Sequence, residues 1–388
     1  MIKKILDKKN SQISQVVILS MIFGFGSGVV GQIVADVYID PWRQDYITQG
    51  IYDNTTDVPE IPQLRRVERF LGIEQDFEVN KSITKVNSAL VGIYKKKAVS
   101  GQAALNQVYT AADLVANGVA LTSDGWLATH QKALADFDLK NLVVIFNHQL
   151  FEVKQMVQDE TTGVAFIKIS ADNLGIVTLG DSRESTLGQL GVVTNVLGEV
   201  TVVNVKDNDY RQLSTPQEYV FSSERYDYSL LISKGLDSNY LGSPVVNLGG
   251  EVIGIVYEIR DDGQALAVPI NQFKSIILDV LRSNTVNRPL LGVMYVDLSK
   301  VVGLNVANGK DLSRGALIYQ SPNRNTPAFS AGFKEGDIIL SIDGQLVDEN
   351  SNLTELIQQY QVGDEVSIEY LRSGVTATVD VVLSAAVQ

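Results

Sequence analysis

Residues 332–344 read GFKEGDIILSIDG. Two turn-forming pairs, Gly336-Asp337 and Asp343-Gly344, bracket a run in which Ile338, Ile339, Leu340 and Ile342 fill a strand. Ser321-Pro322 and Pro327-Ala328 stand just upstream. Outward from this stretch, strand-like runs recur at Gly292–Val296, Ala316–Tyr319, Glu365–Leu371 and Ala377–Leu383, and Asn352–Tyr360 carries helical periodicity. A unit that begins near Pro289 and holds several strands with one late helix is an α+β pattern.

Ahead of it, residues 82–277 show short runs rich in Val, Ile and Leu, broken by Gly, Asn and Asp. Ala89–Tyr94, Leu142–Phe146, Val164–Ile169, Gly191–Val196, Ser229–Ile232 and Val252–Tyr257 are examples. Many short strands with regular turn residues predict a β-barrel or sandwich. Helical spacing returns only near Asn271–Leu281, and no internal repeat links this unit to the next.

The amino-terminal stretch differs from both. Asn10 to Ala35 contains no ionisable side chain, and Val16 to Ala35 is almost wholly apolar or small. That is about the 20 residues a helix needs to cross a hydrocarbon core roughly 30 Å thick. Lys3, Lys4, Lys8 and Lys9 precede it, and Asp36, Asp40 and Asp45 follow. The charge asymmetry predicts an amino terminus held inside and the rest of the chain exported. A cleaved signal peptide is the rival, but the stretch is long for one and lacks an A-x-A site. Residues from about Asp36 to Asn80, with Pro41, Pro59 and Pro62, read as a polar stalk in which Gln63–Leu71 has helical spacing.

Composition narrows the chemistry. The 388 residues include 32 Lys and Arg against 45 Asp and Glu, a net charge of −13, which argues against a nucleic-acid partner. With no cysteine there is no thiol nucleophile, disulfide or thiolate metal site. Two histidines, His130 and His148, make a His-based zinc site improbable. No metal and no cofactor are expected.

With these residues in view, the stretch at 332–344 closely resembles the segment of bacterial PDZ domains in which a loop enters a helix turn and then a strand. By that resemblance, Leu290-Leu291-Gly292-Val293 stands where PDZ domains carry their carboxylate-binding loop. There, successive backbone N–H groups converge on a terminal carboxylate while the peptide adds a strand to the sheet edge. Leu353 and Ile357, one turn apart on the helix, would shape the peptide pocket with Leu291 and Val293. The expected ligand is a C-terminal or extended peptide segment with an apolar terminal residue.

The middle unit resembles the trypsin-like domain of the HtrA/Deg serine proteases. Gly118–Thr129 (GVALTSDGWLAT), Val164–Ile169 (VAFIKI), Leu179-Gly180-Asp181-Ser182, Gly242–Ile255 (GSPVVNLGGEVIGI) and Ala267-Val268-Pro269-Ile270 carry the resemblance in the family's order. Triad chemistry needs a hydroxyl nucleophile, an imidazole and a carboxylate that fixes the imidazole. Carried over position by position, the histidine falls on Lys132, the aspartate on Gly163 and the serine on Leu241. The oxyanion loop becomes Asn239-Tyr240-Leu241-Gly242-Ser243, without its first and last glycines. An alternative is an active endopeptidase rearranged around His130 and Ser243, with Asp136 or Asp138 as orienter. A two-residue slip on a strand end moves an atom by roughly 6–7 Å, so both partners would have to slip together. Lys132 is expected to face solvent or Asp136.

The sequence therefore predicts a mainly β chain. A cytoplasmic tail (1–13), a transmembrane helix (14–36) and a stalk (37–80) lead into a trypsin-like double β-barrel domain (81–284) and an α+β PDZ domain (285–388). The expected protein is a single-pass pseudoprotease of a bacterial cytoplasmic membrane, with its main domains extracytoplasmic. It would bind segments of envelope proteins as a sensor, scaffold or regulator in protein quality control. By resemblance, a homotrimer or a heterotrimer with an active paralogue is implied.

Overall fold

The computed structural model describes residues 62–97, 107–233, 235–304 and 312–386, with side chains from residue 75 onward. The expected span at 14–36 and most of the stalk lie outside these residues. Among the described residues no helix is long and apolar enough to cross a membrane. The helical spacing at Gln63–Leu71 belongs to a longer helix, Pro62–Asn87, which runs through residue 80, where the sequence reading begins the barrel domain. Near its end Lys85 Nζ donates to Gly249 O at 2.7 Å.

Six strands close a first barrel in the order Leu90–Lys95, Leu114–Ala120, Trp126–His130, Val164–Ile169, Gln149–Gln158 and Leu142–Phe146. All pairings are antiparallel. Alternate residues of Gln149–Gln158 are exposed, as a strand with one wet face requires, whereas Val164–Ile169 is almost wholly buried. A second sheet runs Pro244–Asn247, Leu190–Thr194, Val200–Tyr210, Ser229–Ile232, Ala265–Pro269, Glu251–Ile259 and Thr178–Leu179. Pro244–Asn247 also pairs with Glu251–Ile259, which curls this sheet into a second barrel.

The two barrels share a core. Leu90, Val119, Trp126, Ala128 and Phe166 from the first meet Val252, Ile255, Val268 and Phe273 from the second. Phe166 and Phe273 pack edge to face with ring centroids 6.4 Å apart. The helix expected over Asn271–Leu281 is shorter: a 3₁₀ turn at Ile270–Gln272 is followed by helix Ile277–Ser283. Asn284, in the left-handed conformation (φ 57°), stops it.

The last unit is built on strands Met294–Asp297, Ala316–Ile318, Ile338–Ile342, Glu365–Arg372 and Val375–Val382. Asn352 caps helix Leu353–Ile357, its side-chain oxygen accepting from Glu355 N at 3.0 Å. The expected continuation to Tyr360 ends at Gln358, whose side chain is committed elsewhere. Its Oε1 accepts from Arg288 at 3.0 Å and its Nε2 donates to Pro289 O at 3.0 Å. One strand of this sheet comes from the second barrel. Val220–Ser222, in the connection between Val200–Tyr210 and Ser229–Ile232, pairs with Met294–Asp297.

Arg288 joins all three bodies. Its side chain and that of Asp159 are 1% and 0% exposed. Nε donates to Asp159 Oδ1 at 2.9 Å, and Nη2 donates to Oδ2 at 2.5 Å and to Gln272 O at 2.8 Å. Asp159 lies in the first barrel, Gln272 beside the second and Gln358 on the helix of the last unit. A buried pair gains little over an apolar pair, yet removing one partner strands a charge out of water. Arg288→Met is therefore expected to cost about 3–5 kcal/mol, and Asp159→Leu added to it is expected to recover part of the loss. Urea unfolding of the single and double variants measures both.

Candidate functional site

The seam between the barrels is where the resemblance puts the triad. The strand Trp126–His130 ends there, and its 3₁₀ turn Gln131–Ala133 carries Lys132 outward. Of the two expectations for Lys132, solvent or Asp136, the first holds: its side chain is more than half exposed, and its ammonium pairs with Glu258 and sits 5.7 Å from the Tyr257 ring centroid. Its charge is satisfied at a half-exposed surface and faces no hydroxyl among its bonded partners.

His130 occupies the interior. It is 7% exposed and stacks on Tyr257 with centroids 5.0 Å apart. Nδ1 accepts from Lys132 N at 3.1 Å and Nε2 lies 3.3 Å from Thr162 O. An acceptor role for Nδ1 and a carbonyl opposite Nε2 fit the neutral ring protonated on Nε2. Burial pushes its pKa down to about 4, opposed by the Thr162 carbonyl and aided by the Lys132 charge.

Gly163 explains why the ring fits. Its φ is +75°, and a Cβ at this position would stand 2.4 Å from His130 Nε2. The imidazole fills the space in which the family's aspartate would begin. Thus a residue two positions before the expected base blocks the position of the expected orienter.

The nucleophile turn is likewise consumed. Asp237 caps the 3₁₀ turn Ser238–Tyr240, its carboxylate accepting from Asn239 N at 2.9 Å. Leu241 N donates to Ser238 O at 3.2 Å, and Gly242 N to Val256 O at 2.8 Å. The N–H groups of this loop are spent on the loop itself and on the neighbouring strand, so they do not converge on an external oxyanion. Asn117 holds the turn from the first barrel: its N and Nδ2 donate to Leu241 O at 2.8 and 3.1 Å. Gly242 (φ +76°) is required because a Cβ there would meet Asn117 O at 2.1 Å. Tyr240 turns inward and its hydroxyl lies 2.9 Å from Thr201 Oγ1. Ser243 is fully buried, with no hydrogen-bond partner for its hydroxyl among the described residues. The alternative pairing of His130 with Ser243 is therefore not formed: both ring nitrogens of His130 are engaged with backbone groups.

The second candidate site is the loop Leu290–Val293. Leu290 pairs with Ser384 in a two-stranded ladder. Gly292 has φ +87°, and a Cβ would lie 2.3 Å from Thr326, so only glycine brings the loop this close. Leu291, Val293, Leu353 and Ile357, the expected lining of the peptide pocket, share one core cluster in which all four are fully buried. They are covered by Phe221 of the chain's own Val220–Ser222 strand, and Glu224 lies against the loop N–H groups. Phe221, Glu224, Glu258 and the Arg288–Asp159 pair are the residues that sequence reasoning missed. Nothing in the local pattern of VFSSE at 220–224 marks it as anything but a short strand and turn.

The trypsin-like peptidase domain family matches residues 116–255, and the PDZ domain family matches residues 289–383. "Probable periplasmic serine endoprotease DegP-like" of Halomonas elongata is 30% identical over 273 residues, covering 68% of this chain and 56% of that protein. "Serine protease Do-like HtrA" of Lactococcus lactis subsp. cremoris is 24% identical over 346 residues, covering 81% of this chain and 84% of that protein. The chain spans little more than half the length of the DegP-like relatives it matches. Among solved structures, "HtrA-type protease AlgW with decapeptide" superposes with a TM-score of 0.59 at 20% identity, over 79% of this chain and 98% of that one. That likeness concerns the fold alone.

The histidine gives a sign that can be checked. Its folded pKa of about 4 lies below the ordinary value of 6.5, so folding favours the neutral ring. Its contribution is fully present above pH 6.5 and is lost as pH falls towards 4, by roughly 3 kcal/mol in all. Across pH 4–7 the stability of the parent relative to His130→Phe is expected to decline as pH falls, with the parent alone showing this slope. A measured His130 titration midpoint near 6.5 removes the effect.

Proposed function

The chain belongs to the HtrA family of proteins that join a trypsin-like peptidase domain to a PDZ domain, and from that premise we propose that it is a pseudoprotease whose working part is peptide binding. The observation that carries this reading is the state of the nucleophile turn. Leu241 has no nucleophilic atom, and the N–H groups around it are already bonded within the fold. Lys132 and Gly163 at the other two positions supply neither an imidazole nor a carboxylate. Triad catalysis divides its work among all these groups, so replacing any one of them alone does not rebuild it.

In this reading the barrels act as a scaffold and the PDZ unit receives C-terminal or extended segments of envelope proteins. The likeness to the DegP-like relatives, described as periplasmic, supports an extracytoplasmic position for the folded domains. The uncharged stretch from Asn10 to Ala35 supports a single membrane anchor with the amino terminus inside. Assembly as a homotrimer, or as a heterotrimer with an active relative, is proposed from family resemblance. Sensor, scaffold and regulator are the roles such a binder fills in quality control.

The purified chain is expected to leave casein intact and to take no label from a fluorophosphonate probe. Leu241→Ser is expected to leave both results unchanged, because the base, orienter and oxyanion donors remain absent. Labelling of the parent that disappears in Ser243→Ala would overturn the pseudoprotease reading in favour of a rearranged endopeptidase.

A further inference from the structure

Between strand Met294–Asp297 and helix Leu353–Ile357 the chain has laid one of its own segments. Val220, Phe221 and Ser222 pair antiparallel with Val296, Tyr295 and Met294, the geometry by which an extended peptide adds to a sheet edge. Without them, Met294–Asp297 would be the edge strand of this sheet. Phe221 is 2% exposed and packs with Leu291, Val293, Leu353, Leu356 and Ile357. Its ring lies 5.9 Å from that of Tyr295, and the Arg211 guanidinium sits 4.5 Å from its centroid. From the helix, Thr354 Oγ1 donates to Ser222 O at 2.8 Å.

The end of the segment completes the imitation. Ser223 N donates to Val293 O at 3.0 Å, continuing the strand by one residue. Ser223 Oγ then accepts from Val293 N at 3.1 Å, while Glu224 Oε1 accepts from Leu291 N at 3.2 Å and Gly292 N at 2.9 Å. Three successive N–H groups of the loop thus end on oxygens of Ser223 and Glu224. Such a concave run of N–H groups binds an anion, and here the anion is a side-chain carboxylate standing where a terminal carboxylate would stand. By register, Ser223 takes the place of a last residue and Phe221 that of the residue two before it.

We propose that Val220–Glu224 is an internal pseudo-ligand, and that a peptide with a free C-terminal carboxylate enters the groove only by exchanging with it. This rests on the reading of the groove as a peptide site. The exchange has a consequence for the second barrel, because the displaced segment lies in the connection between strands Val200–Tyr210 and Ser229–Ile232. Tyr228, at the end of the same connection, donates to Glu355 of the helix. Peptide entry therefore pulls on the connection that links the barrel to the PDZ unit. While the groove is closed, apparent affinity falls by the fraction of molecules that are open.

Two substitutions in the full chain test this. Phe221→Ala empties the apolar pocket and Glu224→Ala releases the loop N–H groups; circular dichroism checks that each variant is folded. The probe is a fluorescein-labelled peptide ending in Val-Phe-Ser-Ser with a free carboxylate, a copy of 220–223, set beside its C-terminal amide. The free acid is expected to bind the parent weakly and each variant about tenfold or more tightly than that, with no binding of the amide. Amide hydrogen exchange across 293–296 is expected to quicken in the variants and to slow again when the free acid is added. Equal affinity for parent and variants overturns the internal ligand while leaving the groove a peptide site. Quickened exchange with no peptide bound by either variant overturns the groove reading and the proposal with it. Unchanged exchange in both folded variants also overturns the proposal.

Discussion

Arg288 and Asp159 meet out of solvent, and the position of the C-terminal unit follows from that contact. A guanidinium has five donors in a fixed plane. Here they are distributed to Asp159 of the first barrel, to the Gln272 carbonyl beside the second and to Gln358 on the PDZ helix. The arrangement contributes little net stability compared with an apolar plug, but any geometry that breaks it leaves a bare charge inside. It acts as a registration device, and the next residues in the chain lead into the candidate carboxylate loop at 290–293. Gln358 then returns a hydrogen bond to Pro289 O, so helix and loop, the two walls of the groove, are set by one side chain.

The seam between the barrels is packed around His130, Tyr240 and Ser243, all buried. His130 packs against Tyr257 over the space left by Gly163, and Lys132 finds Glu258. Asp237 closes the turn that would otherwise aim N–H groups into a cleft. Together these contacts satisfy the polar groups of the seam within the fold. Burial holds His130 neutral, with its pKa pushed down to about 4, a value suited to packing and not to proton transfer near neutrality. The fold is retained because its strands and shared core, not the triad, supply the packing.

Closure of the groove follows from the same docking. A long connection from the second barrel reaches the sheet edge, and Arg288 is one of the contacts that hold the PDZ unit beside it. Phe221 then contributes to the PDZ core as fully as any residue of that unit. The edge strand, an exposed row of backbone donors and acceptors in an open PDZ, is paired and protected here. Binding and domain docking are thereby made parts of one equilibrium.

By itself, the sequence determined the elements and the chemistry they exclude. Continuous apolar runs such as Leu142–Phe146 and Val164–Ile169 appear as strands with the expected bounds, because β-branched and aromatic side chains favour extended backbone locally. Lys132, Gly163 and Leu241 were set at the candidate triad positions by family resemblance, and their residue types, which carry no imidazole, carboxylate or hydroxyl, are read directly from the chain. Leu353 and Ile357, one turn apart in the sequence, lie on the short helix Leu353–Ile357. Only the tertiary structure decided what fills each vacancy. His130 and Gly163 are separated by 33 residues, Glu224 and Gly292 by 68, and Asp159 and Arg288 by 129. Contacts at such separations depend on how whole barrels pack, and no local propensity encodes them. Pattern therefore placed the candidate positions along the chain, and packing alone brought Val220–Glu224 of the same chain against Met294–Asp297 and the loop at 290–293.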